Sequence, residues 1–156
     1  GRRFIAVIGG PKSYKASVDR ARGIVEELDA EGLELVADIA YGEWSEAWGR
    51  HATRRLLDEG AYFDAVVCQN DQIARCCIDT LKRAGLEIPR DVAVIGHDDW
   101  GVLVSDSRPA LTSISNEVET IGATAAKLLL DAINGKPHHG IVHVPCKLVP
   151  RASTVG

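Results

Sequence analysis

Residues 63–99 read FDAVVCQNDQIARCCIDTLKRAGLEIPRDVAVIGHDD, and this stretch decides the fold class. It opens with a short apolar run, Ala65–Cys68, which is typical of a strand buried on both faces. The apolar residues that follow recur at helical spacing. They are Ile73, Cys77, Ile78 and Leu81. Pro89 then marks a loop before a second apolar run at residues 92–95, so the stretch predicts a strand, a helix and a parallel strand.

The same alternation extends over the whole chain. The predicted strands cover residues 4–8, 35–40, 65–68, 92–95, 111–115 and 141–149. Amphipathic helices separate them, except between the fourth and fifth strands, where an irregular segment is expected. Right-handed βαβ units place their helices on both faces of the sheet. We therefore predict an α/β fold with a doubly wound, mostly parallel sheet and helices on both faces.

Composition excludes several classes of protein. The chain has 156 residues and a mass of 16.8 kDa, which fits one compact domain or a large part of a bigger one. Hydrophobic residues make up 46% and charged residues 26%, and no apolar stretch is long enough to span a bilayer. The formal net charge of −4 disfavours direct binding to nucleic-acid phosphates. We expect a globular domain that neither spans a membrane nor binds DNA by itself.

The chain contains four cysteines, Cys68, Cys76, Cys77 and Cys146. Because they fall in apolar runs and show neither C-x-x-C nor Cys/His metal spacing, we expect reduced core thiols of a cytoplasmic protein. We expect no metal and no cofactor, since residues 9–11 do not form a dinucleotide fingerprint and no phosphate-binding loop or nucleophile elbow occurs.

Polar or glycine-rich residues follow each of the first five predicted strands. They are residues 9–11, 42–44, 69–71, 96–99 and 115–116. In open parallel sheets, ligands bind beyond the carboxyl ends of the strands, where loops and helix N-termini converge. These clusters predict a binding rim that combines carboxylates, amides, an arginine and an aromatic ring. That mixture suits a polyhydroxylated or heteroaromatic small molecule, and a sugar fits best.

Five residues are candidates for ligand contact, and most have a structural alternative. They are Arg20, Trp44, Asn70, Asp98 and Asn116. Arg20 lies off the apolar stripe that begins with Val18 and Ala21, so it is expected to face away from the core, as a ligand clamp or a solvated ion pair. Asn116 either caps the following helix or contacts the ligand, or does both. Trp44 either fills the core or stacks on the ligand.

Other polar residues of the rim have simpler interpretations. Asp71 is expected to cap the third helix, which leaves Asn70 beside it for the ligand. Asp98 and Asp99 resemble an acid–base pair, but adjacent residues at a strand end point to different sides, so catalysis is not expected. His97 is expected to be an ordinary loop histidine.

Several strings, in order along nearly the whole chain, resemble the lactose/galactose repressor (LacI/GalR) family of bacterial transcription regulators. The most specific are FDAVVCQNDQ at residues 63–72, GLEIPRDVAVIGHDD at residues 85–99 and RPALTSI at residues 108–114. The resemblance implies an effector-binding core shaped like the periplasmic sugar-binding proteins, in a cytoplasmic, homodimeric repressor without enzymatic activity. The implied effector is a sugar or a sugar derivative.

The resemblance also implies roles for the candidate residues. At matching positions, Arg20, Asn70 and Asp98 hydrogen-bond the effector. The ring of Trp44 stacks on the effector. Asn116 reaches it near the crossover between two subdomains.

The resemblance covers only part of the family's architecture. Residues 1–115 match the C-terminal effector-binding subdomain, and residues 116–135 match a crossover helix that belongs to the N-terminal subdomain in the family. Residues 136–156 match a returning strand and the C-terminal tail. The family's DNA-binding head has no counterpart here, so operator DNA would be bound only through that absent domain. The crossover helix is then expected to need another partner, such as a second copy of the chain.

Two alternatives stay open from the sequence. One is a periplasmic sugar-binding protein of a transporter, although four unpaired thiols fit an oxidising compartment badly. The other is a small hydrolase or isomerase that uses Asp98 and Asp99, and it would have to turn over a substrate.

Overall fold

Strands and helices alternate along residues 1–155, the part of the chain that the computed structural model describes. In chain order the elements are β1 (Ile5–Gly9), α1 (Lys15–Ala30), β2 (Ala40–Tyr41), α2 (Glu46–Asp58), β3 (Ala65–Cys68), α3 (Asp71–Arg83), β4 (Ala93–Asp98), α4 (Gly101–Ser105), β5 (Thr112–Ser115), α5 (Val118–Ile133) and β6 (Lys147–Val149). The predicted α/β class is confirmed.

The strands of residues 1–155 form one six-stranded sheet in the order β2-β1-β3-β4-β5-β6. Strands β1 to β5 are parallel, and β6 runs antiparallel to β5. The chain leaves β1 toward β2 on one side and returns to β3 on the other, so the direction of winding changes between β1 and β3. The loops after these two strands diverge and leave a crevice at their carboxyl ends, which is where doubly wound sheets bind ligands.

The core lies between the sheet and helices α2 and α3. Ile8, Val66 and Val94 have no exposed surface on this face. The two helices pack closely because α2 carries Gly49, where a Cβ would stand 2.9 Å from the backbone oxygen of Ile73. Helix α1 lies on the opposite face, so helices flank both sides of the sheet as predicted.

Three elements differ from the prediction. The second strand was expected at residues 35–40, but β2 is only Ala40–Tyr41, preceded by an isolated bridge between Ile5 and Leu35. The last strand was expected at residues 141–149, but only Lys147–Val149 pairs, and the preceding residues are almost all exposed. The segment expected to be irregular contains the short helix α4. Both shortened strands lie at sheet edges, where a neighbour supports one side only.

The buried face of α1 also differs from the prediction. Val18 was placed on the core stripe, but it is 43% exposed, whereas Ser17 and Ala21 are buried and Ile24 is half-buried. Residues 17, 20, 21 and 24 share one helical face. Arg20 therefore borders the buried face, and the prediction that it faces away from the core was wrong.

Helix α5 has no buried residue. Several of its apolar side chains are largely exposed: Val118, Ile121, Leu129, Leu130 and Ile133.

Cys146, which follows α5, is exposed too, so the expectation of four core thiols was wrong for this cysteine, while Cys68, Cys76 and Cys77 are buried. Within residues 1–155, no helix combines the length and apolar character that crossing a bilayer requires.

Candidate functional site

Three of the five candidate residues form one hydrogen-bonded cluster at the carboxyl end of the sheet. Asp98 ends β4, and its Oδ1 accepts hydrogen bonds from Arg20 Nη2 at 3.2 Å and from Asn116 Nδ2 at 2.9 Å. Arg20 comes from α1, and Asn116 follows β5. The parallel order of the sheet brings these elements together although 78 residues separate Arg20 from Asp98. The predicted convergence at one rim is confirmed for this cluster.

Arg20 is held on two sides. Its Nη1 donates to the backbone oxygen of Gln69 at 2.5 Å, and its Nη2 to Asp98. The side chain is 22% exposed and that of Asp98 28%, so the ion pair is partly shielded from water. Partial burial strengthens a charge pair and fixes the guanidinium plane.

Asp98 and Asp99 diverge, as expected. Both residues have positive φ values, 103° and 57°, which L-residues rarely adopt. Asp98 faces Arg20 and Asn116, whereas Asp99 accepts from Arg151 Nη1 at 2.8 Å. Each carboxylate pairs with a different arginine side chain, Asp98 with Arg20 and Asp99 with Arg151, so the two do not form an acid–base pair.

Asn116 does not cap α5. The N-cap residue is Glu117, in a left-handed conformation and without a side-chain capping bond. Asn116 lies between Asp98 and His97, with its Oδ1 2.8 Å from His97 Nε2. Burial, and then the positive charge of Arg20, lowers the pKa of His97, which favours a neutral ring that donates through Nε2. This ring orients the Asn116 amide, so His97 is more than an ordinary loop histidine.

Asn70 stands apart from the cluster. It is the N-cap of α3, and its Oδ1 accepts from the backbone N of Ile73 at 2.8 Å. The prediction had given the cap to Asp71, which is instead the first residue of the helix. Asn70 is 7% exposed, and its Nδ2 makes no hydrogen bond with residues 1–155. Capping uses the oxygen and leaves the amide donor available.

Trp44 is fixed beside Arg20 by its neighbours. The guanidinium carbon of Arg20 lies 5.8 Å from the Trp44 ring centroid, and the Tyr14 ring meets it edge-on at 6.4 Å. A Cβ at Gly10 would stand 2.3 Å from the Trp44 ring, so only glycine lets the loop after β1 approach this closely. Trp44 is half-buried and packs against the core, which was one of its two predicted roles, while its stacking on a ligand stays a prediction.

A cleft of about 650 Å³ lies next to the cluster. Its lining includes Asp98, Asp99 and Trp100 from the end of β4, and Asn116, Glu117 and Val118 from the start of α5. The cleft opens between the end of β4 and the start of α5.

The prediction missed Gln69, which organises the rim. Its Nε2 donates to the backbone oxygen of Ser17 at 2.9 Å, and its Oε1 accepts from the backbone N of Gly10 at 3.3 Å. Gln69 is 1% exposed and joins β1, α1 and β3 at the crevice. A glutamine directly after a buried strand was the available signal. Among residues 1–155, no group of three His, Cys, Asp or Glu side chains could hold a metal ion.

A doubly wound sheet, with polar side chains gathered at the carboxyl ends of its strands, is the architecture of α/β domains that bind small molecules at strand ends. The chain belongs to the periplasmic binding protein-like domain family, whose pattern matches residues 1–154.

Curated relatives are transcription regulators. The chain is 36% identical over 137 residues to the HTH-type transcriptional regulator CelR of Thermobifida fusca, covering 87% of this chain and 40% of that protein. It is 33% identical over 159 residues to the HTH-type transcriptional repressor PurR of Salmonella arizonae, covering 98% of this chain and 45% of that protein. The chain thus spans less than half the length of these relatives. The resemblance to the LacI/GalR regulators is confirmed.

Solved structures agree with this assignment. A lac repressor dimer bound to operator and an anti-inducer superposes with a TM-score of 0.91 at 29% identity, covering 100% of this chain and 54% of that one. A complex of the regulator CelR with cellobiose superposes with a TM-score of 0.84 at 34% identity, covering 98% of this chain and 47% of that one. These relatives are transcription regulators.

Proposed function

We propose that this chain is the effector-sensing part of a transcription regulator and that the cluster around Asp98 binds a sugar or a sugar derivative. The observation that carries the proposal is the hydrogen-bonded set of Arg20, Asp98 and Asn116 at the carboxyl end of the sheet. These groups come from three separate elements. Asp98 and Asn116 also line an open cleft, which supports a binding role more than a purely structural one.

The cluster retains unused hydrogen-bonding capacity. Asp98 uses Oδ1 for its two contacts, and its Oδ2 accepts no hydrogen bond from residues 1–155. The Nδ2 of Asn70 is likewise unused within the described chain. A free carboxylate oxygen and a free amide donor can each bind a hydroxyl group, and the Trp44 ring provides an apolar surface for a sugar face.

Simple energetics support a usable affinity. Each hydrogen bond to a charged group contributes about 1.5–3 kcal/mol net. Four such bonds plus about 1 kcal/mol of ring stacking sum to about 7–13 kcal/mol, and after an association cost of at least about 4 kcal/mol the upper end reaches the roughly 8 kcal/mol of a micromolar complex. The five predicted residues are therefore our proposed effector contacts: Arg20, Trp44, Asn70, Asp98 and Asn116.

The relatives support the class of effector and the setting. CelR is known in complex with cellobiose, and the lac repressor as a dimer on its operator. By analogy we propose a cytoplasmic homodimer that responds to a saccharide. DNA binding would reside outside these residues, because the chain carries a net charge of −4.

Helix α5 fits a role in a second subdomain. We propose that residues 116–135 cross from the subdomain of residues 1–115 into another one, and that residues 136–156 return. The exposed apolar side chains of α5, such as Ile121 and Leu129, support this boundary, because a helix normally buries such a stripe. Effector binding could then act by closing the two subdomains.

The test is calorimetric titration of the full chain with mono- and disaccharides, cellobiose among them, and with free nucleobases as a contrasting class. We expect a saccharide to bind, and Asp98→Ala to weaken binding by at least about tenfold, since it removes a charged acceptor. Asn70→Ser separates capping from binding. Serine caps a helix as well as asparagine, adds no buried charge beside Asp71 and lacks the amide donor, so affinity should fall while thermal stability holds.

Asp79→Ala is the matched control, because Asp79 is an exposed carboxylate of α3. It should leave affinity unchanged. Binding of a nucleobase without binding of any saccharide would replace the proposed effector class. Saccharide binding unaffected by Asp98→Ala would remove the cluster from the site.

A further inference from the structure

A buried carboxylate lies under the turn that carries Asp98. Asp71, the first residue of α3, is 1% exposed. Its Oδ2 accepts from the backbone N of Trp100 at 2.8 Å, and its Oδ1 accepts from Ser113 Oγ at 2.5 Å. Neither partner belongs to α3. Asp71 thus connects the end of β3 to the turn between β4 and α4, and to β5.

Ser113 extends this connection to a second backbone amide. Its Oγ accepts from the backbone N of Asp99 at 3.1 Å. Asp71 therefore holds the Trp100 amide directly and the Asp99 amide through one hydroxyl. These two amides immediately follow Asp98.

The turn needs such support. Asp98 and Asp99 have φ values of 103° and 57°. Residues in these regions are strained, and they keep the conformation only where surrounding contacts over-determine it. The hydrogen bonds to Asp71 and Ser113 supply such contacts.

Gly96 provides an independent observation. A Cβ at Gly96 would stand 2.3 Å from Asp71 Oδ1, so β4 lacks a side chain where the carboxylate approaches it. Asp71 has no cationic partner within ion-pair distance among residues 1–155, and it faces Asp98 and Asp99. A buried carboxylate without a counter-ion is unfavourable unless its hydrogen bonds compensate. Both of its hydrogen bonds run to the turn or to the strand that supports it.

We propose that Asp71 is a positioning residue for effector binding: through Trp100 and Ser113 it fixes the turn that aims the Asp98 carboxylate at the ligand. Asp71 itself does not touch the effector. This inference rests on the proposed function only for its effect on affinity, because the effect on the turn can be measured without a ligand.

The first experiment measures amide hydrogen exchange in the full chain without ligand. Asp71→Ala should accelerate exchange at Asp99 and Trp100 by at least about tenfold and leave the amides of β1 and β3 unchanged. Asp71→Asn should restore protection, because its oxygen can accept from the Trp100 amide and its nitrogen can donate to Ser113 Oγ. Asp79→Ala, an exposed change on the same helix, should alter none of these amides.

The second experiment titrates the same variants with cellobiose, or with whichever saccharide the unmodified chain binds best. Asp71→Ala should weaken binding by about tenfold or more, and Asp71→Asn should recover most of the loss. If Asp71→Ala does not fold, Ser113→Ala tests the positioning role instead. In that variant the Asp99 amide should exchange faster while the Trp100 amide stays protected.

The outcomes separate the two proposals. Unchanged exchange at Asp99 and Trp100 in Asp71→Ala, or in Ser113→Ala at Asp99, overturns the positioning role. A uniform rise in amide exchange rates across the sheet overturns the positioning role too, since such a rise would show a general loss of stability. Absence of any saccharide binding by the unmodified chain refutes the proposed function, while the exchange data still decide the role of Asp71.

Discussion

Replacing Asp71 by asparagine should change how the stability of the protein depends on pH. Burial, reinforced by the negative charges of Asp98 and Asp99, raises the pKa of Asp71 from 3.8 to about 6, against the opposing hydrogen bonds from Ser113 and Trp100. In the unfolded chain the carboxyl group keeps its ordinary pKa. Asparagine resembles the protonated carboxyl in shape and does not ionise.

The sign follows from proton linkage. Between pH 4 and pH 6 the unfolded state has released the Asp71 proton while the folded state still holds it, so the stability contributed by this group falls as pH rises. A pKa difference of about 2 units corresponds to about 3 kcal/mol at most. Asp71→Asn removes this dependence. The free energy of unfolding of the variant, minus that of the unmodified chain, should therefore rise by up to about 3 kcal/mol between pH 4 and pH 7.

The measurement is urea unfolding of both proteins at intervals of pH between 4 and 7.5. The groups near Asp71 are Asp98 with its partner Arg20, Asp99 with its partner Arg151, and the buried thiol of Cys68. Both proteins share these groups, so their own titration largely cancels in the difference. Asp79→Asn on the same helix should give a flat difference. A flat difference for Asp71→Asn as well, or a falling one, would show that the buried carboxylate is not destabilised by its surroundings.

Three further substitutions test the packing around the site. Gly10→Ala should displace the Trp44 ring, which would lie 2.3 Å from the new Cβ, and the displacement should appear as a shift in tryptophan emission and weaker saccharide binding. Gly23→Ala, on an open face of α1, should instead raise the free energy of unfolding by about 0.5–1 kcal/mol in denaturant titrations, and a loss of stability would contradict that placement. Gly49→Ala should lower the free energy of unfolding by about 1–3 kcal/mol, because the new Cβ would lie 2.9 Å from the Ile73 backbone. An unchanged unfolding midpoint would contradict the close contact of α2 and α3.

The order of strands and helices could be predicted because the pattern is locally consistent. The βαβ unit of residues 63–99 combines buried apolar strands with a strongly amphipathic helix, and its elements appear within a few residues of the expected positions. The edge strands were overestimated, because an apolar run such as residues 35–40 does not reveal how many neighbours it will pair with.

The location of the site could be predicted from the sequence, but its hydrogen-bond network could not. Polar residues after successive parallel strands must converge, so Asp98 and Asn116 were correctly brought together. Their individual contacts depend on tertiary features: the left-handed backbone at Glu117 frees Asn116 from capping, and His97 then orients its amide. The wrong face was assigned to Arg20 because the buried side of α1 begins with Ser17, a polar residue that an apolar pattern overlooks.

The left-handed backbone at Asp98 has a consequence for how selectivity can change. Its carboxylate is oriented by the main chain before any ligand arrives, so the entropy of ordering it is lost during folding and does not weaken association. Preorganisation of this kind keeps the Asp98 carboxylate in one position, whichever ligand binds. Discrimination between related ligands can then be altered by exchanging side chains around it, such as Trp44 or His97, without rebuilding the scaffold.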